Sequence, residues 1–163
     1  MEIRVLRYFL ETAREGNMTR AAERLFISQP TMSKQLKELE NELGTKLFIR
    51  SNYNIRLTEA GMLLRERAED ILSLVDKTEA EFKSLEEINS GDIYIGAPES
   101  EAMSLFADIV CKLQKDHPKI RCNIYSGNTQ DVCEKLDKGL LDFAIVMNFV
   151  DINKYNYLSM STE

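Results

Sequence analysis

Residues 18–44, MTRAAERLFISQPTMSKQLKELENELG, decide the fold of the N-terminal part of the chain. The first part of this stretch predicts a short helix over 20–26, with Thr19 as its cap and small apolar residues on its buried side. Ser28 is the expected N-cap of a second, longer helix, because its hydroxyl can accept a hydrogen bond from a free N–H of the first turn. Pro30 is tolerated in that turn. The stretch therefore predicts two helices joined by a tight turn.

The second of these helices has two faces that differ in polarity. Its apolar positions are spaced by 4, 3 and 4 residues, which predicts one side packed on a core, and Gly44 ends the helix. Because an α-helix fits the major groove of DNA, a polar and basic outer side predicts a helix-turn-helix with this helix in the groove. The core-facing positions are Met32, Leu36, Leu39 and Leu43, and the outward positions are Pro30, Ser33, Lys34, Lys37 and Asn41.

The outward side chains have the chemistry that contacts DNA. Gln29 can pair with adenine through two hydrogen bonds, and Thr31 and Ser33 can donate, accept or contact a thymine methyl group. Lys34 and Lys37 can reach guanine or phosphate. The alternative is that this polar face is only solvated surface. The order of helix, turn, helix, glycine and hairpin in the N-terminal part favours the DNA interpretation.

Two β-prone runs at 46–49 and 55–57 lie on either side of a turn-rich segment at 51–54. This order predicts a β-hairpin. Arg50 and Arg56 flank its tip, where a wing can contact the DNA backbone or the minor groove. The hairpin completes the pattern of a winged helix-turn-helix.

A long helix is predicted from Thr58, its N-cap, to about residue 88. Apolar residues follow a strict heptad along it, and at about 1.5 Å per residue the helix would be roughly 45 Å long. A lone helix of that length cannot bury its stripe against a small domain, so a helix–helix dimer is the economical solution. The alternative is packing against another part of the same chain. The heptad positions are Leu64, Ala68, Ile71, Val75, Thr78, Phe82 and Leu85.

After a break at residues 89–91, strand-like and helix-like segments alternate. This alternation predicts a parallel sheet with right-handed crossover connections. Ligands of open α/β sheets bind at the carboxyl ends of the strands, so binding residues are sought there. The predicted strands cover 93–95, 120–125 and 143–147, and the predicted helices cover 102–115 and 130–138.

The charge of the chain is distributed unevenly. The net charge is −6, but residues 1–67 contain 12 Lys and Arg against 9 Asp and Glu, and residues 68–163 contain 9 against 18. A basic first part suits a chain that contacts phosphate there, although a net charge of +3 is also within ordinary variation.

The sequence has no apolar run long enough for a membrane span and no signal-peptide pattern, so we expect a cytoplasmic protein without a membrane partner.

Neither a metal site nor a catalytic site is expected. Cys111, Cys122 and Cys133 form no CxxC pair, so we expect buried free thiols, with a redox sensor as the alternative. His117 is the single histidine, and it precedes a proline in a turn. Because no nucleophile elbow or phosphate loop accompanies it, an enzyme or transport-type binding module is the weaker hypothesis. We therefore expect no enzyme activity and no cofactor.

A long, ordered set of residues resembles the N-terminal domain of the LysR-type transcriptional regulators. The remainder of the chain is more weakly similar to the start of that family's effector-binding domain, through residues 117–120, 126–129 and 136–145. The stronger similarity runs through residues 19–33, TRAAERLFISQPTMS, and continues through Gln35-Leu36, Leu39-Glu40, Leu43-Gly44, Leu47-Phe48, Arg50, Leu57-Thr58 and Ala60-Gly61.

The resemblance implies a dimeric or tetrameric regulator built on the long helix. It implies promoter DNA with an inverted repeat as a partner, and RNA polymerase as a further candidate partner. It also implies a two-lobed effector domain similar to periplasmic binding proteins, in which a small molecule in the cleft changes how the dimers sit on DNA. The expected DNA-binding positions are Thr19, Arg20, Ser28, Gln29, Pro30, Thr31, Ser33, Lys34, Lys37, Arg50, Tyr53 and Arg56.

The sequence departs from the family pattern in two ways. Members commonly have a second Arg three residues after the position of Arg50, where this chain has Tyr53. Arg56 is the candidate substitute, or Tyr53 can contact phosphate itself. Loss of this contact would favour a protein-interaction subunit that dimerises through residues 58–88 without binding DNA. The second lobe of the effector domain is not in the sequence, so we expect either a fragment of a longer protein or a chain with an incomplete cleft.

The expected effector-binding positions follow two predicted strands. Ser100 can hold an anion through its hydroxyl and the adjacent helix N-terminus. Glu99 and Glu101 disfavour a carboxylate ligand there, which leaves the charge of the effector open. The alternative is that both segments are plain capped helix starts. The positions are Pro98, Glu99, Ser100, Asn128 and Thr129.

The predicted architecture is a multidomain chain with α and α/β parts. Residues 1–58 form the winged helix-turn-helix, and residues 59–89 form a linker helix that dimerises as a coiled coil. Residues 90–163 form the incomplete N-terminal part of a periplasmic-binding-protein-like α/β lobe, and its expected ligand is a small-molecule effector.

Overall fold

The computed structural model describes residues 1–50, 54–84, 90–98, 102–146 and 154–158, with backbone alone at residues 50 and 102–105. The chain divides into two compact units, Met1–Asp76 and Lys77–Glu163. The first unit is helical with a two-stranded hairpin, and the second contains a three-stranded sheet with helices. The predicted combination of a winged helix-turn-helix, a long helix and a partial α/β lobe is confirmed.

The first unit is built from helices around one apolar core. Apolar side chains from every helix meet there, including Phe9, Ala22, Met32, Leu36 and Leu72. The elements are α1 (Ile3–Glu15), α2 (Met18–Arg24), α3 (Gln29–Leu43), β1 (Phe48–Arg50), β2 (Ile55–Leu57) and α4 (Glu59–Ser84), whose last turns belong to the second unit.

The cap of α2 is Asn17, so the prediction that Thr19 caps this helix is wrong. Asn17 Oδ1 accepts hydrogen bonds from the backbone N–H groups of Thr19 (2.9 Å) and Arg20 (3.1 Å). Thr19 therefore lies inside the first turn. The helix also ends earlier than predicted, because Phe26 adopts a left-handed conformation with φ of 54°.

The limits predicted for α3 are confirmed at both ends. Ser28 Oγ accepts a hydrogen bond of 3.3 Å from the Thr31 N–H, and Pro30 lies in the first turn. Gly44 ends the helix with φ of 67°, a conformation that glycine adopts without strain.

The hairpin forms as predicted, but its first strand begins later. β1 pairs antiparallel with β2, with Phe48 opposite Leu57. The run was predicted to start at residue 46, but Lys46 and Leu47 bond to Thr58 instead. Thr58 Oγ1 donates to the Lys46 carbonyl (2.7 Å), and the Thr58 N–H donates to the Leu47 carbonyl (3.0 Å).

Thr58 caps α4 as predicted, because its Oγ1 accepts a hydrogen bond of 3.0 Å from the Gly61 N–H. Gly61 lies so close to the hairpin that a Cβ there would sit 2.2 Å from the Leu47 carbonyl oxygen. Ala68 is fully buried in the core of its own unit. The prediction that a partner chain contacts Ala68 is therefore wrong, because the same chain already covers it.

The second unit contains a parallel sheet, as predicted. The strand order is β4-β3-β5, with Gly91 opposite Ile120 and Ile95 opposite Phe143. β3 is longer than predicted because it pairs with β4 along its whole length. The elements are β3 (Gly91–Ala97), α5 (Ala102–Asp116), β4 (Ile120–Ser126), α6 (Thr129–Asp137) and β5 (Phe143–Ala144).

The cysteines of the second unit are free thiols, and their burial differs from the prediction. Cys122 and Cys133 are half-buried, but Cys111 is exposed. The prediction of burial is wrong for Cys111, because it shares the exposed side of α5 with Asp108 and Lys115.

Over the described ranges, no group of three His, Cys, Asp or Glu side chains is arranged to hold a metal ion. The described helices include none with the length and apolar character of a membrane span.

Candidate nucleic-acid interface

The two sides of α3 differ in exposure. Met32 and Leu36 are fully buried against the other helices. This packing turns the polar side of the helix to solvent, where Ser33 is half-buried. The exposed members of the predicted set on α3 are Gln29, Pro30, Thr31, Lys34 and Lys37.

Ser28 and Thr31 form a reciprocal cap at the start of α3. Their hydroxyl oxygens are 2.7 Å apart, in addition to the bond from the Thr31 N–H to Ser28 Oγ. Because the Thr31 hydroxyl already has this partner, its methyl group is the part best suited to contact a base, as in contacts to thymine. The first turn is thereby fixed before any ligand binds.

The lysines of α3 differ in how firmly they are held. Lys34 Nζ lies 3.9 Å from a carboxylate oxygen of Glu38, a loose pair between exposed groups one turn apart. Lys37 makes no ion pair or hydrogen bond with another residue of the described ranges. Both ammonium groups can therefore bind a DNA phosphate with little loss of free energy from broken contacts within the chain.

Arg20 already has a partner on the preceding helix. Its Nη2 donates to the Glu15 carbonyl (2.7 Å), and its Nε lies 3.6 Å from a Glu15 carboxylate oxygen. Arg24 pairs with the same carboxylate at 3.0 Å. The sequence interpretation missed this network. It orients Arg20 at the start of α2, where the guanidinium remains well exposed.

The predicted wing residues are only partly within the described ranges. Arg56 lies in β2 opposite Ile49 and is exposed. The backbone of Arg50 ends β1, opposite Ile55. Tyr53 lies outside the described residues. Among the predicted wing residues whose side chains the structure describes, Arg56 is exposed, as the predicted contact requires.

Glu40 holds the base of the wing, a role that the sequence interpretation missed. Its Oε1 accepts hydrogen bonds from the N–H groups of Leu47 (2.9 Å) and Phe48 (3.3 Å), and its Oε2 lies 3.1 Å from Lys46 Nζ. Burial alone would raise the pKa of Glu40, but these hydrogen bonds outweigh it and hold the pKa below its usual range. The available signal was an acidic residue directly after Leu39 on the core side of α3.

The wing is also joined to the end of α1. The Ile55 N–H donates a hydrogen bond of 2.9 Å to the Gly16 carbonyl. Gly16 takes a left-handed conformation, and this ends α1 and leaves its carbonyl available. Both strands of the wing therefore have a fixed attachment, one through Glu40 and the other through Gly16.

The predicted dimerisation stripe on α4 divides between core and surface. Leu64 and Ile71 are half-buried against the core of the first unit. Val75 is half-buried, and Phe82 is 69% exposed. Leu85 lies outside the described residues. Further exposed apolar side chains, not predicted from the heptad, are Met62, Leu63 and Leu74.

The predicted effector positions that are described lie at one edge of the sheet. Pro98 follows β3, and the Gly127 N–H donates to the Ala97 carbonyl (3.2 Å), which brings the ends of β3 and β4 together. Asn128 caps α6 through Asp131: its Oδ1 accepts from the Asp131 N–H (3.0 Å).

Asn128 is further held by the Asp131 side chain, because its Nδ2 donates to Asp131 Oδ2 at 2.7 Å. Thr129 is the first residue of α6. Glu99 and Ser100 lie outside the described residues. The side chain of Asn128 therefore serves as a helix cap, which was the alternative to effector binding. Effector binding by Pro98 and Thr129 stays a prediction.

Comparison with known proteins matches both units. The model described as "Bacterial regulatory helix-turn-helix protein, lysR family" matches residues 3–62, and the "LysR substrate binding domain" matches residues 87–163. The regulator YtlI of Bacillus subtilis (strain 168) is 37% identical over 145 residues, which are 89% of this chain and 47% of YtlI. The regulator BudR of Klebsiella aerogenes is 38% identical over 144 residues, which are 87% of this chain and 100% of BudR.

A solved structure agrees with these matches. Full-length CbnR, crystallised in complex with its target DNA, has a TM-score of 0.75 and 27% identity, and the match covers 86% of this chain and 48% of CbnR. The chain spans about half the length of YtlI and CbnR, and the whole of BudR. By its helix-turn-helix, its α/β unit and its identity to BudR over the whole of that relative, the chain belongs to the LysR family of bacterial transcriptional regulators.

Proposed function

We propose that this chain is a sequence-specific DNA-binding regulator that acts as a homodimer or homotetramer on an inverted repeat in promoter DNA. A small-molecule effector controls it, and RNA polymerase is a further candidate partner at the promoter. The place of action is the cytoplasm. The role is regulation rather than catalysis, as in the regulators named above.

The exposed polar side of α3 is the observation on which this proposal rests. The hydroxyl pair of Ser28 and Thr31 fixes the first turn, and Gln29 is exposed next to it. A pre-formed helix start with an amide side chain suits contacts to base edges, because the major groove presents a distinct pattern for each base pair. Thr19, Arg20, Lys34, Lys37 and Arg56 would contact phosphate and fix the orientation of α3.

Exposed apolar side chains on α4 support the dimer. Leu63 is 58% exposed and Phe82 is 69% exposed in the single chain. Large apolar side chains in solvent on a long helix favour a second helix as their partner. We assign residues 1–58 to DNA binding, 59–89 to dimerisation and 90–163 to the effector-binding part.

The effector would bind at the carboxyl edge of the sheet. Pro98 and Thr129 lie beside the ends of β3 and β4, the place where open α/β sheets bind ligands. Asn128 and Asp131 are already bonded to each other there. On this side of the site, the effector would therefore lie next to the carboxylate of Asp131 in the first turn of α6.

Selection of binding sites from random duplex DNA tests the proposal. The purified full chain would be used at about 150 mM salt, where weak binding to phosphate alone fades. We expect an interrupted inverted repeat whose half-sites are about one helical turn, or a multiple of it, apart. Recovery of no motif by chain that circular dichroism shows to be folded would contradict DNA reading. The interaction-subunit hypothesis would then replace it.

A further inference from the structure

The side chain of Lys77 is buried although it is charged. Lys77 lies on α4 and is only 6% exposed. Its Nζ donates hydrogen bonds to Asp142 Oδ1 (2.7 Å) and to the Gly139 carbonyl (3.0 Å), and it lies 5.2 Å from the centre of the Tyr94 ring. These four residues, here called the Lys77 cluster, all belong to the second unit.

Asp142 connects the Lys77 cluster to the sheet. Its Oδ2 accepts a hydrogen bond of 2.8 Å from the Tyr94 N–H, and its own N–H donates to the Tyr94 carbonyl at 2.7 Å. Tyr94 lies in β3, and Asp142 directly precedes β5. One carboxylate thus holds two strands through the Tyr94 backbone and holds α4 through Lys77.

The Lys77 cluster fixes geometry more than it adds stability. Lys77 is buried, but the side chain of Asp142 is 34% exposed and keeps part of its hydration, so water screens their attraction. The lost hydration of the ammonium offsets much of what remains, so the pair adds little net stability. An apolar side chain could pack with α4 in several rotations about its axis and several positions along it. The ammonium allows only one such placement of α4 relative to Asp142, because all its described acceptors lie on one short segment, from Gly139 to Asp142.

Lys77 lies on α4 close to the turns that pack in the core of the first unit. Lys77 is the first residue of the second unit, whereas Ala68 and Leu72 of the same helix lie in the core of the first unit. A continuous α-helix transmits rotation and translation along its axis, because each turn is hydrogen-bonded to the next. A shift of Asp142 would therefore reach the turns that pack beneath the DNA-binding helices.

We propose that Lys77 is a positioning residue through which the α/β unit sets α4, and with it the spacing of the two α3 helices in a DNA-bound dimer. The inference rests on the proposed function, because it concerns the regulation of that same DNA-binding surface. Lys77 touches no DNA itself.

Three variants of the full chain test this inference. Lys77→Met keeps most of the apolar stem and removes the ammonium, and Asp142→Asn keeps an acceptor for the Tyr94 N–H and removes the charge. Lys112→Met is the control, because Lys112 is an exposed lysine on α5, outside the residues assigned to DNA binding and dimerisation. Fluorescence anisotropy would compare the duplex recovered by selection with duplexes whose spacer between half-sites is one or two base pairs longer or shorter.

We expect the wild type and Lys112→Met to prefer one spacing. Lys77→Met and Asp142→Asn should bind a single half-site within about twofold of the wild type, since they lie far along the chain from α3. They should lose about tenfold in the preference between spacings, a usual size for coupling between sites. The double variant should lose no more than either single variant, because both remove the same interaction.

Hydrogen exchange separates this role from a structural one. We expect the amides of α3 and β3 to stay protected in both variants, with faster exchange confined to residues 77–84. Unchanged spacing preference in a variant with that local change would overturn the inference, and so would global loss of protection in the second unit of both variants. A wild type that shows no spacing preference contradicts the proposed dimeric DNA binding itself, and the inference with it.

Discussion

Glu40 Oε1 lies 2.9 Å from the backbone nitrogen of Leu47, and this hydrogen bond links the core side of α3 to the first residues of the wing. The carboxylate is almost fully buried, yet each of its oxygens has a partner. The helix that carries the candidate base contacts and the hairpin that carries Arg56 therefore share one polar support.

Acid should weaken this support. Because the pKa of folded Glu40 lies below its usual range, its contribution to stability is present above the unfolded pKa and is lost as pH falls through the folded pKa. Glu40→Gln should lower the free energy of unfolding by about 2 kcal/mol at neutral pH, since hydrogen bonds to a charged group are lost. Urea unfolding measures this, and the difference from wild type should shrink in acid.

The matched control is Glu38→Gln, which removes an exposed carboxylate from the same helix. It should change the free energy of unfolding little at either pH. A Glu40→Gln effect of equal size at neutral and acid pH would contradict the assigned role.

Phe26 is strained, and its replacement should stabilise the chain. Its φ of 54° lies in the left-handed region, where a bulky side chain costs about 1–2 kcal/mol, and the side chain is 96% exposed. Phe26→Asn should therefore raise the free energy of unfolding by about 1 kcal/mol, because Asn tolerates this conformation. Thermal unfolding followed by circular dichroism measures the change. A lower melting temperature for Phe26→Asn would show that the ring makes a stabilising contact.

Replacement of Gln29 and replacement of Lys37 should affect DNA binding in different ways. Gln29→Ala should cost about 1–3 kcal/mol on the selected duplex and relax the preference at one base pair, because a base-edge contact is lost. Lys37→Ala should weaken binding to all sequences alike and reduce the slope of log affinity against log salt by about 1. Anisotropy titrations at several salt concentrations measure both. Gln114→Ala, on the exposed surface of α5, is the control that should change neither.

A charge at residue 82 should dissociate the dimer. Phe82 is exposed in the single chain, so Phe82→Glu should leave the fold intact, but a charge in a helix–helix seam has no partner there. Light scattering should show the mass of one chain at concentrations where the wild type forms a dimer. Ile109→Glu places the same charge on an exposed position of α5. An unchanged mass for Phe82→Glu would exclude this part of α4 from the interface.

The elements of this fold could be predicted from the sequence because their signals are local. Ser28 and Gly44 mark the limits of α3 through capping and backbone conformation, which depend on few neighbours. The sequence wrongly favours Thr19 over Asn17 as the cap of α2, because both residue types have a side-chain oxygen that can accept hydrogen bonds from a first helical turn. A choice between two capping residues two positions apart depends on the entry path of the chain, which is set by packing.

The contacts that support the site could not be predicted, because they join residues far apart in sequence. The sequence did not reveal the role of Glu40, because the donors to its carboxylate are backbone N–H groups, whose positions no side-chain pattern records. Ala68 fitted the heptad well, and its burial by its own unit follows from the position of α4 on that core. The burial of Met32, Leu36 and Leu39 follows from spacing alone, but Leu43, which the same spacing predicts to face the core, is 42% exposed in the last turn of α3, outside the core cluster. The partner of Arg20 required the geometry of α1.

The close approach of Gly61 to the Leu47 carbonyl constrains how this chain can change over generations. Changes at Met62 and Leu63, which are exposed in the single chain, would not disturb the packing within it, but residue 61 has no space for a side chain. A library randomised over residues 59–63 and sorted for folded protein should return diverse residues around a nearly invariant glycine. The turn between wing and helix therefore evolves under the demand of folding itself, whereas substitutions at the exposed positions beside it are limited by the dimer that they are proposed to form.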